Sequence, residues 1–255
     1  AMLLITQNLK RCSRLQNVIW MLLLLQICSL YGQELNRPLR VIIDPGHGGM
    51  DSGAIGVNGI QEKDVVLNLA LALKHLNDTL GHPLDLFSTR TSDTLISLSG
   101  RSKLALALEA DIFLSLHCNH SSNPKARGVE VYVYDKPNSN TDAATWLAFQ
   151  IQERFNKRLG FKSRGVKFAN FQVLRETSRQ MLSILVELGF LSNSVEIRYF
   201  LKVKNTEQIN RRAFTIILVS GIPFMAVGYA LLESLSVGMA TWLNLLLGLA
   251  ILSCC

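Results

Sequence analysis

Short, almost unbroken apolar runs alternate with amphipathic stretches through the middle of the chain, and the two patterns predict different elements. Arg40–Ile43 (RVII) reads as a short buried strand, stopped by Asp44-Pro45-Gly46. Leu84–Thr89, Ile112–Leu116 (IFLSL), Gly128–Tyr134 and Ser183–Val186 carry the same signature, and Gly128–Tyr134 adds β-branched alternation. Between the strands, Val65, Leu69, Leu73 and Leu76 recur at helical spacing within Gln61–Leu76. Arg101–Glu109, after a Ser97–Gly100 approach, predicts a second helix, and Thr141–Leu159 a long third. Ser194–Leu201 begins a fourth. Gly46, Gly48, Gly49, Gly53, Gly56 and Gly59 make the stretch after the first strand a loop. Strands that alternate with helices, most of them apolar on both faces, argue for a layered α/β domain with helices on both sides of the sheet.

The pattern changes at both ends. Lys10, Arg11 and Arg14 precede Val18–Leu25 (VIWMLLLL), an apolar run that fades through Gln26 to Gly32. A basic segment followed by a short apolar one predicts an export signal over residues 1–32. It is either cleaved after Gly32 or kept as an anchor, since the run approaches the ~20 residues a membrane span needs. Residues 33–39 are a polar linker containing Pro38, and Thr206–Ile222 predicts a closing helix ended by Pro223. Residues 40–222 therefore form the folded domain. The tail, 223–255, is almost wholly apolar, with Glu233 its one charged residue, and Ser236–Cys255 is long enough to span a bilayer. It lacks flanking basic anchors. Both ends thus offer membrane association.

Composition narrows the classes. A length of 255 residues fits one ordinary domain with appendages. An apolar fraction of 49% with 18% charged residues argues against disorder for the bulk of the chain. The net charge of +7 favours anionic surfaces such as lipid headgroups or wall polymers. No nucleic-acid motif accompanies it, so nucleic acid is not an expected partner. Cys12, Cys28, Cys254 and Cys255 lie near the ends and Cys118 alone in the middle, so no disulfide framework supports the core.

Three strands end in residues that can do chemistry. RVII delivers Asp44-Pro45-Gly46-His47, IFLSL delivers His117, and SILV delivers Glu187 followed by Leu188-Gly189. In open α/β sheets ligands bind beyond the carboxyl ends of strands, so neighbouring strands would bring these side chains to one rim. Glu62 opens the helix after the glycine loop, which can fold it back toward His47. Two imidazoles and one carboxylate make a three-ligand zinc site with a fourth position open for water. A second carboxylate can then carry the water's proton to the leaving group. Each residue also has an ordinary reading: Glu62 beside a helix dipole, His47 in a turn, His117 as a satisfied strand-end histidine. Glu187 is harder to explain away, because a carboxylate after an apolar strand is costly to bury unpaired.

VIIDPGHGGMDSGAIG, QEKDVVLNLA, STRTSDTLISLSGRSKLA, ADIFLSLHCN, RGVKFANFQVLRETS and SRQMLSILVELGFLSN, spread from about Arg40 to Ile222, resemble the zinc-dependent N-acetylmuramoyl-L-alanine amidases, cell-wall hydrolases of the type 3 family. The resemblance implies a three-layer α/β/α fold with a mixed, roughly six-stranded sheet. It implies one zinc ion per chain held by His47, Glu62 and His117, with Glu187 as the catalytic carboxylate. The implied reaction is cleavage of the amide between N-acetylmuramic acid and L-alanine of the peptidoglycan stem peptide, by an exported protein of the periplasm or cell envelope. A zinc peptidase of stem peptides and a non-catalytic wall-binding protein are the alternatives. Any activator protein stays unidentified.

The chain departs from the family pattern at His117-Cys118-Asn119-His120, where small residues usually follow the histidine, so His120 becomes a rival ligand or a rim residue. The short run between Tyr134 and Thr141 leaves no room for the plugging helix some members insert there. Asn119 and Arg175 are expected to line the groove and bind stem-peptide carboxylates. Asn68 is expected to orient Glu62 or His47 from behind the metal. Arg90 and Arg101 are expected to pair with buried carboxylates such as Asp44 or Asp111. His75 and His82 read as structural or solvated.

Overall fold

The computed structural model describes residues 37–203. The expected export segment, most of the linker, the closing helix Thr206–Ile222 and the apolar tail lie outside the described residues. Within them, no helix is long and apolar enough to cross a membrane.

Eleven principal elements follow in order among the described residues: β1 (Arg40–Pro45), α1 (Glu62–Thr79), β2 (Asp85–Ser88), α2 (Leu98–Ala107), β3 (Ile112–Asn119), β4 (Val129–Tyr134), α3 (Thr141–Leu159), β5 (Ser163–Ala169), α4 (Gln172–Thr177), β6 (Leu182–Phe190) and α5 (Ser194–Val203). A single 3-10 turn, Val57–Gly59, precedes α1. The strands form one sheet in the order β2-β1-β3-β6-β4-β5. Neighbours run parallel except β4 against β6, so β4 and β5 point opposite to the other four.

Alternation along the strands sorts the core into two layers. Val41, Ile43, Leu114, Leu116, Val131 and Val186 pack on one side with Val66, Ala70 and Leu73 of α1 and Leu147 and Ile151 of α3. Ile42, Phe113 and Leu185 face the other way, against Ala105 of α2 and Val173 and Leu174 of α4. Helices thus cover both faces in three layers, and each fully buried Ile, Leu or Phe contributes about 1.5–3 kcal/mol. In α1 the buried stripe runs Val66, Ala70, Leu73, Leu76, with Val65 and Leu69 only partly covered at its edge. Local signals set the helix limits: the Ser97 side chain accepts Gly100 N–H at the start of α2, and Gly160, at φ 73°, ends α3 in the left-handed conformation.

The pattern of apolar runs does not reveal β5 and α4. Ser163–Ala169 (SRGVKFA) leaves most of its side chains exposed or half-buried at the sheet edge, so it carries no apolar signature. Gln172–Thr177 is six residues long, too short for helical periodicity to register.

Candidate functional site

The loop after β1 is held by buried charges. Asp44, 1% exposed, accepts hydrogen bonds from Thr89 Oγ1 (2.7 Å), Ser115 Oγ (2.8 Å) and Arg101 Nη1 (2.8 Å). A carboxylate this far from water is tolerated only when paired and hydrogen-bonded. Arg101 also donates to the carbonyls of Pro45 and His47, both at 2.7 Å. Arg90 donates to those of Pro45 (3.0 Å), Gly46 (2.8 Å) and Lys63 (2.8 Å). Two guanidiniums thus grip three consecutive carbonyls and hold His47 at φ 59°, a left-handed conformation that costs a non-glycine residue ~1 kcal/mol or more. The expectation that both arginines pair with carboxylates needs correcting: Arg101 pairs with Asp44, whereas Arg90 is absorbed by carbonyls. Asp111 accepts the backbone N–H of Arg40 at 2.7 Å.

That clamp presents His47 to Glu62 and His117. Glu62 Oε1 lies 3.1 Å from His47 Nε2 and 2.9 Å from His117 Nδ1, and it accepts the Cys118 N–H at 2.9 Å. Its Oε2 accepts the Ala54 N–H at 2.8 Å. The other ring nitrogen of His47 meets Asp51 Oδ2 at 2.8 Å, which fixes the ring's orientation. One donor atom from each of His47, Glu62 and His117 lies within 4.8 Å of the others, so a single cation can be held among them. Two glycines make this approach possible. A Cβ on Gly46 would stand 2.3 Å from His117 Cε1. One on Gly53, at φ 63°, would stand 2.6 Å from both Glu62 Oε2 and His47 Cδ2. Burial alone would raise the Glu62 pKa, but hydrogen bonds from His117 and His47 hold it well below the carboxylate range. Burial works against the charged form of His47, and the bonds to Glu62 and Asp51 outweigh it, raising its pKa.

Glu187 stands directly opposite His117 on one side and Glu130 on the other, in the registers of β3–β6 and β6–β4. Directly opposed residues share a face of the sheet, so the three side chains form a row across the rim. Glu187 Oε2 is buried and has no hydrogen-bond partner among the described residues. Burial pushes the Glu187 pKa up to about 7; the nearby His117 pulls it down and the charge of Glu62 adds to the rise. A cavity of about 380 Å³ opens in front of His117 and Glu187, lined by these two, by His47 and by the apolar Leu95, Leu98 and Phe171. Behind it, Cys118 is 3% exposed on the opposite face of β3, with its thiol pKa raised first by burial and then by surrounding carboxylates.

The remaining expected residues fall elsewhere. Asn68 is exposed on α1, six residues beyond Glu62 and therefore turned well away from it, so the expectation that it supports the metal is corrected. Asn119 gives its amide to Glu130 at 2.6 Å. Arg175 is exposed, bonded to Asn170 Oδ1 at 2.7 Å, and does not line the cavity. His120 and His75 are exposed, His120 stands outside the three-donor cluster, and His82 faces Asp78 at 3.3 Å. The connection from β4 to α3 is Asp135–Asn140, without a helix. Asp51 and Glu130 went unrecognised from sequence. Asp51 lies four residues from His47 in a loop that gives no register to count along. Glu130 occupies an alternate position of VEVYVY, where a charge reads as a solvated face.

The N-acetylmuramoyl-L-alanine amidase family pattern matches residues 41–218. N-acetylmuramoyl-L-alanine amidase CwlM of Bacillus licheniformis is 39% identical over 156 residues, 61% of this chain and 58% of that protein. The crystal structure of an N-acetylmuramoyl-L-alanine amidase from Clostridium difficile 630 superposes with a TM-score of 0.64 at 31% identity, covering 74% of this chain and 97% of that one. The CwlD amidase of Clostridioides difficile, solved in complex with the GerS lipoprotein, gives 0.62 at 25% identity over 71% and 96%. The chain spans between 33% and 58% of the length of three curated relatives it matches. With the same sheet and helices and the match extending across the loop, the cluster of His47, Glu62 and His117, and Glu187, this chain belongs to the N-acetylmuramoyl-L-alanine amidase family.

Proposed function

We propose that the chain is a peptidoglycan amidase that hydrolyses the amide between the lactyl group of N-acetylmuramic acid and L-alanine of the stem peptide. His47, Glu62 and His117 hold one zinc ion, and Glu187 is the catalytic carboxylate. The observation that carries this reading is the pairing of two features: a three-donor cluster at the rim, and beside it a buried carboxylate oxygen with no partner among the described residues. The donor set suits zinc, two imidazole nitrogens and one carboxylate oxygen, with the second histidine nitrogen tied to Asp51. Zinc bound there supplies a Lewis acid that polarises the scissile carbonyl and acidifies water.

The chain's own residues supply the rest. Glu187, opposite His117 and with a buried oxygen that has no partner among the described residues, is placed to accept a proton from the attacking water and return it to the departing alanine nitrogen. Leu95, Leu98 and Phe171 give the cavity an exposed apolar wall against which the substrate can pack beside the reacting groups. Envelope placement follows from the substrate, and the lipoprotein bound to CwlD supports testing the chain with membrane-attached partners as well as alone.

The test is digestion of purified peptidoglycan by the full chain, with and without chelator, alongside Glu187→Ala. Zinc-restorable release of intact stem peptides, lost by at least a hundredfold in the variant, is the expected result. Fragments cut within the stem peptide would instead make the chain a peptidase, and stoichiometric wall binding without release would make it a binding protein.

A further inference from the structure

One buried charge has no part in that mechanism. Glu130 is 2% exposed, yet it receives Asn119 Nδ2 at 2.6 Å, Arg164 Nε at 3.2 Å, Tyr132 OH at 3.4 Å and the Lys167 ammonium. A buried carboxylate needs one cation to offset its charge. Glu130 has two, together with two neutral donors. The cluster carries one cation more than Glu130 alone requires, with Glu187 facing it across the sheet, and its cationic members reach solvent: the Lys167 side chain is 39% exposed and that of Arg164 32%. Both are braced by rings, with the Arg164 guanidinium 4.9 Å from the Phe190 centroid and the Lys167 ammonium 5.7 Å from that of Tyr132. Tyr132 in turn packs edge-on against Phe171, which lines the cavity. Fixed, half-exposed cations on a sheet face are built to receive an anion.

Their place says which anion. Glu130 lies opposite Glu187, and β5 is the next strand out. The strand that carries the cations lies two strand spacings, ~10 Å, from that of the catalytic carboxylate, and the cationic groups reach back to Glu130 between them. An extended peptide covers at most ~3.6 Å per residue, so that distance is within about three residues of the scissile amide.

We propose that Lys167 and Arg164, positioned by Glu130, form a subsite for a carboxylate on the peptide limb of the substrate, and that this pair sets a preference for stem peptides whose second residue carries a free α-carboxylate. The proposal rests on the amidase reading and moves carboxylate recognition from Asn119 and Arg175 to β5.

The experiment compares two synthetic substrates, N-acetylmuramoyl-L-alanyl-γ-D-glutamyl-L-lysine amide with the glutamate α-carboxyl free or amidated. A charge-assisted contact of this kind discriminates by about tenfold or more in kcat/KM. The full-length wild-type chain is expected to prefer the free acid by about that factor, mainly through KM. In Lys167→Gln the preference falls toward one, and in Lys167→Arg it is kept. Thermal melting of each variant shows that its fold is intact. Equal kcat/KM for the two substrates in the wild type, or an undiminished preference in Lys167→Gln, overturns the subsite and leaves the amidase standing. Failure of the wild type to cleave either compound removes the amidase reading, and the subsite with it.

Discussion

Glu187 serves two opposed demands, because a base must ionise and this one is buried. Its carboxyl titrates near pH 7 in the fold against 4.5 when free, so the folded state holds a proton that the unfolded state releases. Folding therefore takes up a proton between those two pH values. The stability Glu187 gains by staying neutral is complete below pH 4.5 and disappears as pH rises past 7. At pH 8 the ionised side chain costs the metal-free protein about 3 kcal/mol. Glu187→Gln, inactive by the mechanism above, is accordingly expected to be more stable than wild type in chelator at pH 8 and equal to it at pH 4. Urea unfolding at the two pH values measures this, and a variant less stable at pH 8 would contradict the burial argument. At this scale His47, Glu62, His117 and Glu187 were legible because each follows an apolar run or a glycine loop where a polar residue has no ordinary reason to be. Glu130 was not, since alternation in a strand makes an inward charge look outward.

The element that matters most to the site is the turn leaving β1. Its shape does not come from propensity; it comes from Arg90 and Arg101 reaching across from the connection after β2 and from α2. Arg101→Met keeps much of the packing while leaving Asp44 without its cation. Breaking a buried pair from one side typically costs 3–5 kcal/mol, and that loss is expected in urea unfolding. Zinc affinity should fall with it, because the carbonyl of His47 is released. The pairing of Arg101 with Asp44 was expected from sequence, but the grip on the carbonyls was not: 54 residues separate Arg101 from His47, and nothing local to either marks the other. The same holds for β5 and α4. Both owe their form to neighbours, β5 to its pairing with β4 and α4 to the core beneath Val173 and Leu174, and neither has an amphipathic signature of its own. Strands β1, β3 and β6 are central and apolar on both faces, and for that reason they announced themselves.

For the described molecule as a whole, the proposed metal joins parts that the chain supplies separately. Its three ligands come from the loop after β1, the first turn of α1 and the end of β3. A ligand that binds only the folded state adds stability in proportion to the logarithm of its concentration over Kd, about 4 kcal/mol at a thousandfold excess. Chelation is thus expected to lower Tm by roughly 10 °C, and added zinc to restore it; a Tm indifferent to chelator would count against a metal at this cluster. The alternation of strands and helices announced the layered architecture, but not the reversal of β4 and β5, because direction depends on which strands become neighbours. Cys118 follows the proposed ligand His117, faces the opposite core layer, and gives its N–H to Glu62. Its sulfur can meet a reagent only when the core layer packed over that face of β3 opens. The rate at which Cys118 is alkylated therefore reports how often the layer behind the candidate metal site opens.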